Sequence, residues 1–257
     1  MTDMSESGQV VLITGAGSGI AEATARLFAE RGASVVLGDI AQDRVEAVAA
    51  SIRSGGGDAT AHVVDVRSDP SVRSFVAEAV ELHGGLDVVL PIAGVFVPPE
   101  APITEISDET IDTLLDVNIR GVVHVLRAAI PHVRERGSVI LTSSTSGLAS
   151  HPGGAVYSAT KIAMIGLGRC LGLELAPRRI RVNMVCPGGV NTPLTRRAYP
   201  DNADEVIAEA ASQNPLGQFG EPDDIAEAFW FLASPHARHV NGVSLRVDGG
   251  DCLAGTL

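Results

Sequence analysis

Val10-Val11-Leu12-Ile13-Thr14-Gly15-Ala16-Gly17-Ser18-Gly19-Ile20 reads as an apolar strand that enters a glycine-rich turn and opens a helix. The branched aliphatic run has no polar alternation, so the strand is predicted to be buried on both faces. Gly15 and Gly19 lack Cβ atoms, which lets backbone N–H groups approach a pyrophosphate at the positive end of the helix that follows. Ile20 stands where the strict G-x-G-x-x-G spacing requires its third glycine. Taken alone, the loop has a second, simpler reading as a tight strand-to-helix turn.

Outward from this stretch, short apolar runs rich in β-branched residues recur at 34–37, 61–64, 88–90, 138–141, 182–185 and 243–247. Segments of helical period lie between them, at 22–31, 45–52, 72–82, 111–133 and 163–175. Gly32 is a helix stop, and Glu221-Pro222-Asp223-Asp224 places proline and acid in a first helical turn. Alternating strands and helices predict an α/β fold: a parallel sheet of about seven strands, doubly wound, with helices on both faces. One domain spanning 1–257 is expected, with a short, polar and flexible stretch at 1–8. The connection 192–220 carries Pro193, Pro200 and Pro215 around a predicted helix at 204–212. A connection of that length in a compact domain suits a lid over the substrate.

The chain holds 31 acidic against 19 basic residues, a net charge of −12, with no long basic stripe. Nucleic acid and membrane surfaces are therefore not expected as partners. No apolar run reaches membrane-spanning length, and residues 1–8 lack the pattern of a signal peptide. Cys170, Cys186 and Cys252 are odd in number and show no CxxC spacing, and the seven histidines form no metal-site cluster. A cytoplasmic protein without a metal is expected.

Asp39 ends the second predicted strand, twenty positions after Gly19. A carboxylate there accepts hydrogen bonds from both adenosine ribose hydroxyls and repels a 2′-phosphate, which predicts NAD rather than NADP. No Lys or Arg occupies Ser18, Gly38 or Ile40, and Arg44 falls in the next segment. Tyr157 and Lys161 lie four apart, one helical turn from each other on one face. A phenol titrates at about 10, so acid/base work near neutrality needs its pKa lowered by roughly 2 to 3, or about 3 to 4 kcal/mol. A neighbouring ammonium supplies part of that. Ser144 follows the strand at 138–141, at the carboxyl edge where open α/β sheets bind ligands, and offers a hydroxyl to a substrate oxygen. His151 lies between Ser144 and Tyr157 and is a candidate for the substrate pocket.

These residues carry a resemblance that spans nearly the whole chain. Thr14-Gly15-x-x-x-Gly19-Ile20, Asp65-Val66, Ala93-Gly94, Asn118, Ser144, Tyr157, Lys161 and Pro187-Gly188 followed by Val190 and Thr192 resemble the short-chain dehydrogenase/reductase family. The resemblance implies a Rossmann-like fold, NAD as cofactor and a homotetramer. It implies Tyr157 as acid/base, Lys161 as the group that lowers its pKa and holds the nicotinamide ribose, and Ser144 as the group that orients the substrate oxygen. Asn118 would fix a water that links Lys161 to solvent. Gly15, Ser18, Gly19 and Ile20 would face the pyrophosphate, Asp65 and Val66 the adenine, and Ala93 and Gly94 the adenosine ribose. Pro187, Gly188, Val190 and Thr192 would hold the carboxamide end.

Two departures from the family pattern stand out. Ala21 replaces the usual third glycine, and Pro91-Ile92 replaces two asparagines before Ala93-Gly94. A proline has no N–H, so the end of that strand must lack one ladder bond or lie beyond the ladder. Gly168 and Gly172, four apart, predict a close helix contact within the chain or with a second subunit. The expected substrate is a secondary alcohol or its ketone: a small polyol, a sugar derivative or a cyclic diol. The alternatives are a 3-oxoacyl-(acyl carrier protein) reductase, for which Arg178, Arg179 and Arg181 are the one basic cluster, and a non-catalytic NAD-binding regulator.

Overall fold

The structure, a computed structural model, describes residues 8–97, 102–149 and 152–254. Its strands are β1 (Val10–Thr14), β2 (Ser34–Asp39), β3 (Asp58–Val63), β4 (Leu86–Pro91), β5 (Val133–Thr142), β6 (Arg181–Pro187) and β7 (Ser244–Val247). They form one parallel sheet in the order β3-β2-β1-β4-β5-β6-β7. The order reverses direction at β1, whose neighbours are β2 on one side and β4 on the other. The connections after β1 and β4 therefore leave to opposite faces and open a crevice at the carboxyl edge.

The helices are α1 (Gly19–Glu30), α2 (Gln42–Ser54), α3 (Asp69–His83), α4 (Asp108–Leu115), α5 (Val122–Ala129) and α6 (Ala155–Glu174). They continue with α7 (Pro193–Ala198), α8 (Ala203–Gln213), α9 (Pro222–Ala233) and α10 (Asp251–Ala254). Leu12, Val36, Val139 and Val182 share one core with Phe75 of α3, Leu126 of α5 and Met164 of α6. Ile13, Leu37, Leu90 and Ile140 share the other with Phe28 of α1, Val48 of α2 and Phe229 of α9. Both faces of every central strand are covered, which is why these strands read as unbroken apolar runs.

The structure corrects three expectations. The single helix at 111–133 is instead α4, a π-helical turn at Asp116–Gly121, α5 and a 3₁₀ turn at Ile130–His132, after which β5 begins. Gly121 permits the π turn to press on the turn after β3, since a Cβ there would lie 2.7 Å from Val66 Cγ2. β5 starts five residues before its apolar run because Val133 already pairs with Leu86 of β4, and Arg134 beside it reaches Asp87 at 2.6 Å. β3 starts three residues earlier than its apolar run, because its register on β2 pairs Ser34 with Asp58. Pro91 closes β4 opposite Thr14, and the Thr14 hydroxyl accepts the Ala93 N–H at 3.3 Å.

The expected 204–212 helix is α8, and α7 precedes it. No helix among the described residues is long and apolar enough to cross a membrane. Gly168 and Gly172 both pack within the chain: a Cβ at Gly168 would overlap the Met184 sulfur, and one at Gly172 would lie 3.2 Å from Asn241 Oδ1. Gly168→Val must displace the fully buried Met184 of β6. Its overpacking is expected to cost about 2 kcal/mol, read as a lower urea midpoint at unchanged slope.

Candidate active site

The turn after β1 is held by two bonds to one carbonyl: Gly15 and Ala16 donate N–H to Gly38 O at 2.8 and 3.1 Å. Gly15 has φ +77°, and a Cβ on it would lie 2.8 Å from Ala93 Cα. Ser18 has the extended backbone of an N-cap, but its side chain makes no capping hydrogen bond. The first-turn N–H groups of α1 are thus left for a ligand in the cavity that Ser18, Gly19 and Ile20 line. That cavity, about 540 Å³, joins Asp39 and Asp65 to Ser144, Tyr157 and Lys161.

At one end stands Asp39, 8% exposed. Its Oδ2 accepts the Gly17 N–H at 2.9 Å and its Oδ1 accepts the Ala41 N–H at 2.8 Å. A carboxylate has about four acceptor positions, so two remain for ribose hydroxyls. Arg44 Nη2 lies 3.9 Å from Asp39 Oδ1 and lines the same cavity. Sequence spacing had set Arg44 aside; the first turn of α2 brings it back. Asp65 also lines the cavity, but Arg67 grips its carboxylate at 2.7 Å, and these bonds hold its pKa below the usual carboxylate value. Val66, Ala93 and Gly94 complete this part of the wall.

At the other end, Tyr157 and Lys161 enter from the first two turns of α6. Phe96 packs against the Tyr157 ring in a T-shaped contact, with centroids 5.1 Å apart and planes at 80°. Lys161 Nζ lies 5.6 Å from the Tyr157 ring centroid and donates to Thr142 O at 3.3 Å. Burial lowers the Lys161 pKa to about 8, an effect the nearby Cys186 sulfur opposes. Ser144 Oγ accepts the Ser146 N–H at 3.1 Å, which leaves its proton free to donate. Ser143, its neighbour, donates instead to Lys161 O at 2.8 Å and so ties β5 to α6.

Asn118 sits in the π turn and spends both amide protons and one Oδ1 lone pair. Its Oδ1 accepts the Val95 N–H at 2.8 Å, and its Nδ2 donates to Val95 O at 2.9 Å and to Thr160 Oγ1 at 3.3 Å. This clamp fixes the loop after β4 that carries Phe96 to the helix that carries Tyr157. A π turn inside a helix is a frequent way to aim one side chain at a site.

Pro187, Gly188, Val190 and Thr192 line the cavity beyond β6. Thr192 caps α7, accepting the Thr195 N–H at 3.2 Å, and a Cβ at Gly19 would lie 3.4 Å from its methyl. The far end of the α7–α8 segment is pinned by Asn214, whose Nδ2 donates to Asp248 O at 2.9 Å and to Asp251 Oδ1 at 2.8 Å. His151 lies outside the described residues. Phe96 belongs to no motif, and nothing in its spacing pointed to it.

The arrangement fits a dinucleotide, with a carboxylate and open helix N–H groups at one end and a phenol, an ammonium and a hydroxyl at the other. A family model described as Enoyl-(Acyl carrier protein) reductase matches residues 15–251. The chain is 40% identical over 246 residues to a 2,5-dichloro-2,5-cyclohexadiene-1,4-diol dehydrogenase of Sphingobium indicum, covering 95% of this chain and 96% of that one. It is 36% identical over 245 residues to a 3-oxoacyl-(acyl-carrier-protein) reductase of Thermotoga maritima, covering 95% and 97%. A solved short-chain dehydrogenase/reductase from Brucella melitensis, described as a glucose/ribitol dehydrogenase, matches with a TM-score of 0.89 at 33% identity over 97% of this chain and 98% of that one. Similarity at this level along almost the whole length shows that the chain belongs to the short-chain dehydrogenase/reductase family, oxidoreductases that act on CH–OH groups.

Proposed function

We propose that the protein interconverts a secondary alcohol and its ketone with NAD, and that Tyr157 carries the proton. The observation that supports this reading best is the convergence of Tyr157, Ser144 and the buried Lys161 on one cavity whose far end is the Asp39 carboxylate. Bound nicotinamide supplies the two-electron acceptor or donor for the reacting carbon. In oxidation Tyr157 Oη takes the hydroxyl proton, and in reduction it returns a proton to the ketone oxygen. Ser144 orients that oxygen, since its own lone pair is held by Ser146 N–H. The Lys161 ammonium, still largely protonated at neutral pH, stabilises negative charge on the Tyr157 oxygen, and exclusion of water strengthens its field. Asn118 holds both walls in place, and a water beside it relays the proton between Lys161 and solvent. The α7–α8 segment serves as the lid.

Asp39 favours NAD, because the same nearly buried carboxylate that accepts ribose hydroxyls repels a 2′-phosphate. The Sphingobium relative's name, a cyclic diol dehydrogenase, supports an alcohol substrate of that size. A 3-oxoacyl reductase is the second reading, favoured by the Thermotoga relative. Two of the three arginines of its expected docking cluster are spent within the fold. Arg178 donates to Ile130 O at 2.9 Å and also to Val133 O, and Arg181 donates to Leu232 O at 2.5 Å. Arg179 lies 3.5 Å from Glu135. Ile162 and Leu173 are exposed three turns apart on the outer face of α6, which supports a homotetramer built on that helix. Free Cys170, Cys186 and Cys252 fit a reducing, cytoplasmic setting.

Three measurements test these roles. Tyr157→Phe removes one oxygen and is expected to lower kcat by about 10²- to 10⁴-fold while NAD still binds in a fluorescence titration; retained turnover would show that another group moves the proton. With Asp39→Ser, the kcat/KM preference for NAD over NADP should fall about 10- to 100-fold, the worth of a hydrogen bond to a charged group. Lys161→Met should lose turnover yet gain about 1 to 3 kcal/mol of stability at pH 7, because it removes a desolvated charge. Between pH 8 and about 10.4 the unfolded chain keeps the lysine proton and the folded chain sheds it, so wild-type stability rises and the variant's advantage shrinks. Urea unfolding of both proteins at pH 7 and pH 10 reads this directly.

A further inference from the structure

We propose that Phe96 determines substrate choice and that it selects a hydroxyl carried on a small, largely apolar ring rather than an open-chain polyol. This deepens the dehydrogenase reading above and rests on it. Once the nucleotide motifs and the Ser144, Tyr157 and Lys161 groups are set aside, the described lining of the cavity includes Val95, Phe96, Val117, Leu194, Ala198 and Tyr199. That surface is mostly hydrocarbon. Of the polar groups beside it, Thr195 spends its hydroxyl on Val190 O at 2.6 Å, and Arg197 is exposed to solvent. Thr113 and the exposed Tyr199 add one hydroxyl each.

A polyol carries a hydroxyl on every carbon, and each one taken from water into this wall without a partner costs binding energy. A ring with one or two hydroxyls places an oxygen at Ser144 and Tyr157 and covers the apolar wall with its remaining carbons. Phe96 is the residue best fixed for that task. The residue before it is clamped at both backbone atoms by Asn118, at 2.8 and 2.9 Å. Its ring stands 5.1 Å from the Tyr157 ring at 80°, so the two make a right-angled aromatic corner in the wall of the cavity. Loss of that ring removes one wall of the corner while the phenol, the ammonium and the Ser144 hydroxyl all stay in the chain.

The test compares the full-length wild type with Phe96→Ala and Phe96→Tyr, using NAD-linked rates on cyclohexanol and cis-cyclohexane-1,2-diol against ribitol and xylitol. The matching ketones and a β-ketoacyl thioester are assayed in reduction, and NAD titration confirms that each variant is folded. The wild type is expected to favour the ring substrates in kcat/KM by at least about tenfold. Phe96→Ala should cut the ring substrates by about 10- to 100-fold, chiefly through KM, and leave the polyols nearly unchanged, while Phe96→Tyr keeps the wild-type ratio. A wild-type preference for polyols overturns the proposal and leaves the dehydrogenase reading standing. An equal loss on both substrate classes in Phe96→Ala overturns it too, since Phe96 would then only hold Tyr157. Turnover confined to the thioester, or absent from every alcohol and ketone, defeats the dehydrogenase reading itself.

Discussion

The close approach of Gly15 to Ala93 is the contact on which the rest of this molecule depends. β1 must lie beside β4 for the sheet to reverse its order there, and the chain leaving β1 must pass the chain leaving β4 with no room for a side chain between them. A methyl group on Gly15 would close the gap or push the two strand ends apart, and its φ of +77° is one that L side chains rarely adopt. Because the gap holds, α1 begins with its N–H groups facing the crevice, and both ends of the site open onto one cavity. Pro91 fits the same economy: it donates no ladder bond, and the Thr14 hydroxyl takes the Ala93 N–H two residues later.

The cavity is bounded by two charges that are nearly out of water, and the fold treats them differently. Asp39 is met by two backbone N–H groups in fixed positions, which aim its remaining lone pairs. Lys161 has a long bond to Thr142 O and is otherwise desolvated, so its charge is costly in the folded chain. A group held in that way has a field that water and counter-ions screen less than at the surface, which suits a role in catalysis more than one in stability.

Much of the fold was legible along the chain, because a doubly covered parallel sheet demands apolar strands and leaves them in plain view. The elements that were misread share a cause. β5 extends back over Arg134 and Glu135, and β3 over Asp58, because pairing with a neighbour decides where a strand starts, and a polar edge can pair as well as an apolar one. The π turn at Asp116–Gly121 interrupts what a 3.6-residue period presents as one helix, since the interruption is set by the Asn118 clamp on Val95 and the contact of Gly121 with Val66. The Gly168 and Gly172 spacing left open a contact within the chain or with a second subunit, and the structure fills both positions with Met184 and Asn241 of the same chain.

By itself, the sequence determined the residue types and spacings of the chemistry: a glycine turn, a strand-end acid, and a phenol and amine one helical turn apart. These are local properties, set by the geometry of one turn or one strand. Only the tertiary structure decided that Arg44 stands beside Asp39, that Asn118 joins Val95 to Thr160, and that Phe96 forms a right angle with Tyr157. Each of those contacts spans separate elements. Its position follows from the packing of helices on a sheet, which no spacing along the chain encodes.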